Sequence, residues 1–95
     1  VAAELSPFCR KLRESPAYGA LVESLGPPIL GYTSAEWTSN PFGYPDVRVW
    51  VEMCNVWCTP KVVAVQELGS DQKQRSPEFK DLETVLVWLK VEGWI

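Results

Sequence analysis

The sequence predicts an α+β fold: two short N-terminal helices packed on an antiparallel sheet of about four strands. Three observations predict it. Ser-Pro pairs at Ser6-Pro7 and Ser15-Pro16 each precede a short apolar-periodic run. Leu25-Gly26-Pro27-Pro28-Ile29 closes the second run abruptly. Beyond Ile29 the apolar residues alternate as they do in strands.

Ser6 and Ser15 suit N-caps, because a serine hydroxyl accepts an orphan N–H of the first turn. Proline follows each at the first helical position, where its missing N–H costs nothing. Helices are therefore expected at about 7–13 and 16–25. In the first, Phe8 and Leu12 share a face. The residue before a proline avoids the helical region, so Ser15 should bend the chain between the two. In the second, Tyr18, Leu21, Val22 and Leu25 form a core-facing stripe. Gly26 is placed to end it in a left-handed turn, and the prolines cannot continue it. Val1 to Leu5 reads as a loose lead-in.

The expected sheet spans about 29–93. Ile29–Trp37 reads as a strand, and Thr38–Pro45 as a turn-rich loop with Phe42 and Tyr44 in it. Asp46–Cys54 is the clearest strand. Val47, Val49, Val51 and Met53 fall on one face, and Arg48, Trp50, Glu52 and Cys54 on the other. Lys61–Leu68 should pair with it as a hairpin after a turn at Thr59-Pro60. Gly69–Gln74 reads as exposed polar loop. Ser76-Pro77-Glu78 is a third Ser-Pro start, suited to a helical turn through Phe79 to Leu82. Leu82–Val91 then reads as an interior strand, with Val85, Val87, Leu89 and Val91 on one face; a helix is the competing assignment, and the valine density favours strand. Trp94 is placed to pack back as a plug.

The 95 residues read as a single domain, 1–95, with 46% hydrophobic and 22% charged residues. Net charge is −3, and the pI is near 4.9. That argues against a nucleic-acid partner, which needs a clustered basic face. Arg10, Lys11 and Arg13 form a short basic run flanked by acids, read as a solvated helix face. No apolar run reaches the roughly 20 residues that cross a bilayer, so no transmembrane segment is expected. The chain starts at Val1 rather than Met. The expectation is either an artificially trimmed chain or a mature chain processed from a targeting segment, with which an anchor could also have been removed.

Catalytic chemistry has little to work with. The chain has no His, which removes imidazole triads and dyads. Its glycines form neither a dinucleotide fingerprint nor a phosphate loop. Glu52 and Glu67 could face each other across the hairpin, and paired carboxylates can do acid–base work. As strand charges they would instead be offset by Arg48 or Lys61. The three cysteines, Cys9, Cys54 and Cys58, are too few for a structural zinc site without His. Cys54 and Cys58 would stand roughly 13 Å apart in one strand, too far to bond. Free thiols are expected; a turn at 55–57 would instead permit a Cys54–Cys58 bridge. The expectation is a protein that is not an enzyme and has no metal site and no cofactor.

The five Trp are many for this length, and aromatic side chains supply most interface anchors. The candidate partner contacts are Trp37, Phe42, Tyr44, Trp50, Trp57, Trp88 and Trp94.

Ser15, Pro16, Leu25, Gly26, Pro28 and Ile29, followed by the Val47–Met53 and Lys61–Leu68 strands and the closing Leu86–Gly93 segment, carry a resemblance. The chain resembles the cytochrome c oxidase assembly factor-like proteins and the related small domain of the mitochondrial inner-membrane presequence translocase. The likeness covers most of the chain in outline and six residues as a motif. It implies a non-catalytic domain acting through protein contacts, as an accessory subunit or assembly factor of an organelle membrane complex of respiration or photosynthesis. It implies a mitochondrial or plastid location peripheral to a membrane, with other protein subunits as partners. Two other readings stay open. One is an acidic inhibitor or immunity-type protein that blocks a basic partner site. The other is a small-ligand carrier or enzyme with its site under the Thr38–Pro45 loop.

Overall fold

The structure, a computed structural model, describes residues 6–53 and 60–95. It is α+β, with three helices and a five-stranded antiparallel sheet among the described residues. Helix α1 (Pro7–Arg13) and helix α2 (Pro16–Leu25) keep the predicted bounds. The Ser6 hydroxyl accepts the Cys9 N–H at 3.2 Å, and the Ser15 hydroxyl accepts the Ala17 N–H at 3.3 Å. Ser15 is extended, with ψ 131°, which bends the chain between the helices as a residue before proline should. Gly26 ends α2 at φ 92°, a conformation that strains any residue with a Cβ.

The sheet is a meander in the order β1 (Ile29–Leu30), β2 (Ser34–Thr38), β3 (Asp46–Met53), β4 (Pro60–Gly69) and β5 (Gln72–Arg75). Two sequence expectations change here. Ile29–Trp37 is a hairpin of two strands, turning at 31–33, and not one strand. Part of the polar run at 69–74 is strand β5, fully exposed and paired with β4 through Val65–Arg75 and Glu67–Lys73. Its ladder offsets a polar side chain as well as an apolar one, so composition hid it.

The larger correction is Leu82–Val91. It is helix α3, not an interior strand. The Asp81 carboxylate caps it, accepting the Thr84 N–H at 2.7 Å. Its other end is a Schellman turn: the Gly93 N–H donates to Lys90 O, the Trp94 N–H donates to Leu89 O, and Gly93 sits at φ 74°. Leu82, Val85 and Leu89 lie on one helical stripe and are buried. Burial of that stripe outweighs the modest helix penalty of valine, a few tenths of a kcal/mol or so per residue. The helix therefore starts at Leu82 and not at Pro77. The Ser76 hydroxyl is already taken, accepting the Ala64 N–H at 2.8 Å inside the core. Phe79 then bridges to Val62 through two 2.8 Å backbone bonds.

All three helices cover one face of the sheet. Leu12, Leu21, Leu25 and the α3 stripe meet Ala35, Trp37, Val49, Val51, Val62 and Ala64 in one cluster. The Ser15 hydroxyl donates to Glu83 at 2.9 Å, tying the start of α2 to the first turn of α3. Cys9 is a free, buried thiol near Gly31 O at 3.4 Å. Cys54, Trp57 and Cys58 lie outside the described residues.

Candidate functional site: the outer sheet face and the Ser39–Pro45 loop

The sheet face away from the helices is built by alternation. Trp50 on β3 lies opposite Val63 on β4 and Glu36 on β2. Arg48 lies opposite Val65, and Glu52 opposite Lys61. The result is an apolar centre of Trp50, Val63 and Val65 inside a charged rim. It lines an open concavity of about 480 Å³. Glu36 stands on the β2 side of the rim, and Lys73 and Arg75 on the β5 side.

Arg48 organises the rim. Its guanidinium donates to Asp46 at 2.8 Å and lies 3.7 Å from Glu36 and 4.0 Å from Glu67. Lys73 reaches the same Glu67 at 3.9 Å. The bond to Asp46 raises the Arg48 pKa further above its ordinary value, partly opposed by burial, so its charge is permanent. The exposed members of this network are salt-screened and each pair contributes little to stability.

Asp46 also fixes the loop between β2 and β3. Its carboxylate, 1% exposed, accepts the Asn40 N–H at 2.9 Å and the Ser39 hydroxyl at 3.3 Å. The Ser39 hydroxyl in turn accepts the Val47 N–H at 2.8 Å. With its base held this way, the loop projects Phe42 almost entirely into solvent, 98% exposed, with Tyr44 half exposed beside it. Between the loop and the sheet is a recess of about 240 Å³, lined by Phe42, Tyr44, Arg48 and Glu67 among others. Arg48 and Glu67 therefore belong both to the outer face and to the loop.

The candidate contacts divide. Phe42, Tyr44 and Trp50 come together on this side and are exposed. Trp37 does not qualify as a free contact. It is 0% exposed, with its ring edge-on to Tyr18 at 5.7 Å. It points to the helix side of β2, and its indole Nε1 has no hydrogen-bond partner among the described residues. Trp88 and Trp94 are half-buried on the helix side, stacked edge-to-face at 4.7 Å, with Phe79 against Trp88 at 6.1 Å. Trp94 does pack back against the core, as its position suggested.

Glu52 and Glu67 do not form a pair. The register sets Glu52 opposite Lys61 at one end of the hairpin and Glu67 opposite Asp46 at the other. Sequence reasoning missed the rim as a unit. Alternation in β3 was a visible signal for Arg48, but which β4 and β5 residues join it depends on register. Among the described residues no three His, Cys, Asp or Glu side chains group as metal ligands, and no helix is long and apolar enough to cross a membrane. A scan against family models, a search of curated proteins and a search of solved structures found no match to this chain.

Proposed function

We propose that the chain is a non-catalytic protein-interaction domain that docks through the outer sheet face and the Ser39–Pro45 loop. The observation that carries this reading is Phe42: a large apolar side chain fully in water at the tip of a loop whose base is held by a buried carboxylate. A fixed loop loses little conformational freedom when a partner covers it, so its aromatic tip suits an anchor. The partner is a protein segment with an apolar centre to cover Trp50, basic groups toward Glu36 and acidic groups toward Lys73 and Arg75. Its placement as a subunit of an organelle membrane complex, peripheral to the membrane, rests on the Ser15-to-Ile29 motif.

The mixed rim does not favour the acidic-inhibitor reading, since Arg48 and Lys73 offset the acids beside them. The test is native co-purification with mass spectrometry from the source cells, using a photo-crosslinking residue at position 42. Capture of subunits of one membrane complex, lost on Trp50→Ala, is the expected result. Recovery of the free chain with no crosslinked partner overturns the reading.

A further inference from the structure

Helix α3 carries two apolar stripes, and only one is fully buried; of the other, Trp88 is half-buried against Phe79 and Trp94. Leu82, Val85 and Leu89 enter the core. Thr84, Val87, Trp88 and Val91 fall at i, i+3, i+4 and i+7 on the opposite side. Val87 is 61% exposed and Val91 77%, and with Phe79 they form an open apolar face on the helix side of the molecule. It lies away from the outer sheet face, so it is independent of the site proposed above.

The charges beside this stripe have a symmetry. Glu83 and Lys90 lie on the same flank, Glu83 in the first turn and Lys90 in the last. They are placed evenly about the Leu86–Val87 step. Thr84 and Val91 are placed evenly about the Val87–Trp88 step. We infer that this face binds a second copy of the same chain, with the two α3 helices antiparallel across a two-fold axis at Val87. In an antiparallel pair the same flanks meet, so each Glu83 faces the other chain's Lys90. Each Thr84 packs on the other's Val91, and the two Val87 side chains meet at the axis. In a parallel two-fold pair opposite flanks meet, so Glu83 and Lys90 would not face each other. The antiparallel arrangement also opposes the two helix dipoles favourably. Such a contact is isologous and closes at a dimer. A helix of this length spans only about 15 Å, so the interface falls in the small class and the dimer is a weak, concentration-dependent one.

The test is sedimentation equilibrium of the purified chain over a range of concentrations, with far-ultraviolet circular dichroism to confirm folding of each variant. The wild type is expected to dimerise reversibly. Val87→Asp, at an exposed position, should weaken the dimer by about 100-fold or more by setting two carboxylates on the axis. Glu83→Lys and Lys90→Glu should each weaken it by about 5- to 10-fold. Mixed together, those two single variants should form a heterodimer, because both charge contacts are restored in it. A wild type that stays monomeric up to about 1 mM, weaker than any affinity of interest here, overturns the inference. So does a dimer unaffected by Val87→Asp, or a mixture of the two charge variants that associates no better than either alone.

Discussion

Trp37 and Trp50 sit on adjacent strands, close in the register, and end in opposite surroundings. Trp37, on β2, turns to the helix side and is fully buried against Tyr18. Trp50, on β3, turns to the outer side, where it shields Val63 and stays partly in water. The same residue type therefore has opposite roles on the two faces of one sheet. Alternation within a strand says that two residues differ in face. It does not say which face the helices will cover. A count of tryptophans is consequently a poor guide to contact residues, and their position relative to the helix layer is a good one.

The strongest way to break this comparison is to truncate both rings. Trp37→Ala should cost about 3–5 kcal/mol through loss of burial and the cavity left behind. That is a large part of the stability of a domain this size, so the variant should melt far below the wild type in urea or on heating. Trp50→Ala should cost about 1 kcal/mol or less, the scale of a cross-strand pair. Equal losses for the two would contradict the division of the faces.

Asp46 sharpens the comparison, because it is a buried charge on the open face. Asp46→Ala removes the acceptor for Asn40, Ser39 and Arg48 together. A loss of about 2 kcal/mol is expected from unpaired donors. Hydrogen exchange at the Asn40 and Val47 amides should speed up in this variant before any change in the core strands.

On the covered face the cap of α3 offers a smaller test. Asp81→Ala should cost about 1 kcal/mol. The hydrogen bonds from Thr84, side chain first and backbone second, lower the Asp81 pKa below its ordinary value. A depressed carboxylate pKa contributes stability that is present above the unfolded-state value and lost as pH falls through the folded-state value. The wild type should therefore lose stability on acidification through that window, and Asp81→Ala should lose less over the same window in denaturant titrations.

The smallest expected change in stability is at the most exposed aromatic. Phe42→Ser should stay within about 0.5 kcal/mol of wild type, while partner capture at the loop falls. A marked destabilisation would mean that Phe42 serves the fold, and would remove it from the proposed site.

The Leu82–Val91 segment shows why part of the fold was hidden. Its valines alternate well enough for a strand, yet Leu82, Val85 and Leu89 also fit a helix. Asp81 before it and Gly93 after it were the sequence signals that separate the two, as cap and left-handed stop. The exposed stripe of Val87 and Val91 is what made the strand reading attractive. It is also what the proposed dimer uses. The polar β5 strand was hidden for a different reason: an edge strand needs no apolar residue, and Lys and Arg there guard against unwanted pairing.

What the sequence determined by itself was local. The two N-terminal Ser-Pro starts, the Gly26 stop and the β3 alternation depend on neighbours within a few residues, and each is found where those residues predicted it; Ser76-Pro77, whose hydroxyl is taken by the Ala64 N–H, is the exception. Tertiary structure decided the rest. The register of β3 on β4 put Glu52 with Lys61 and separated it from Glu67. The docking of α2 and α3 decided that Trp37 is core and that Trp50 remains at the surface. These outcomes depend on residues distant in the chain, because burial is a property of what packs across a face and not of the residue that sits on it.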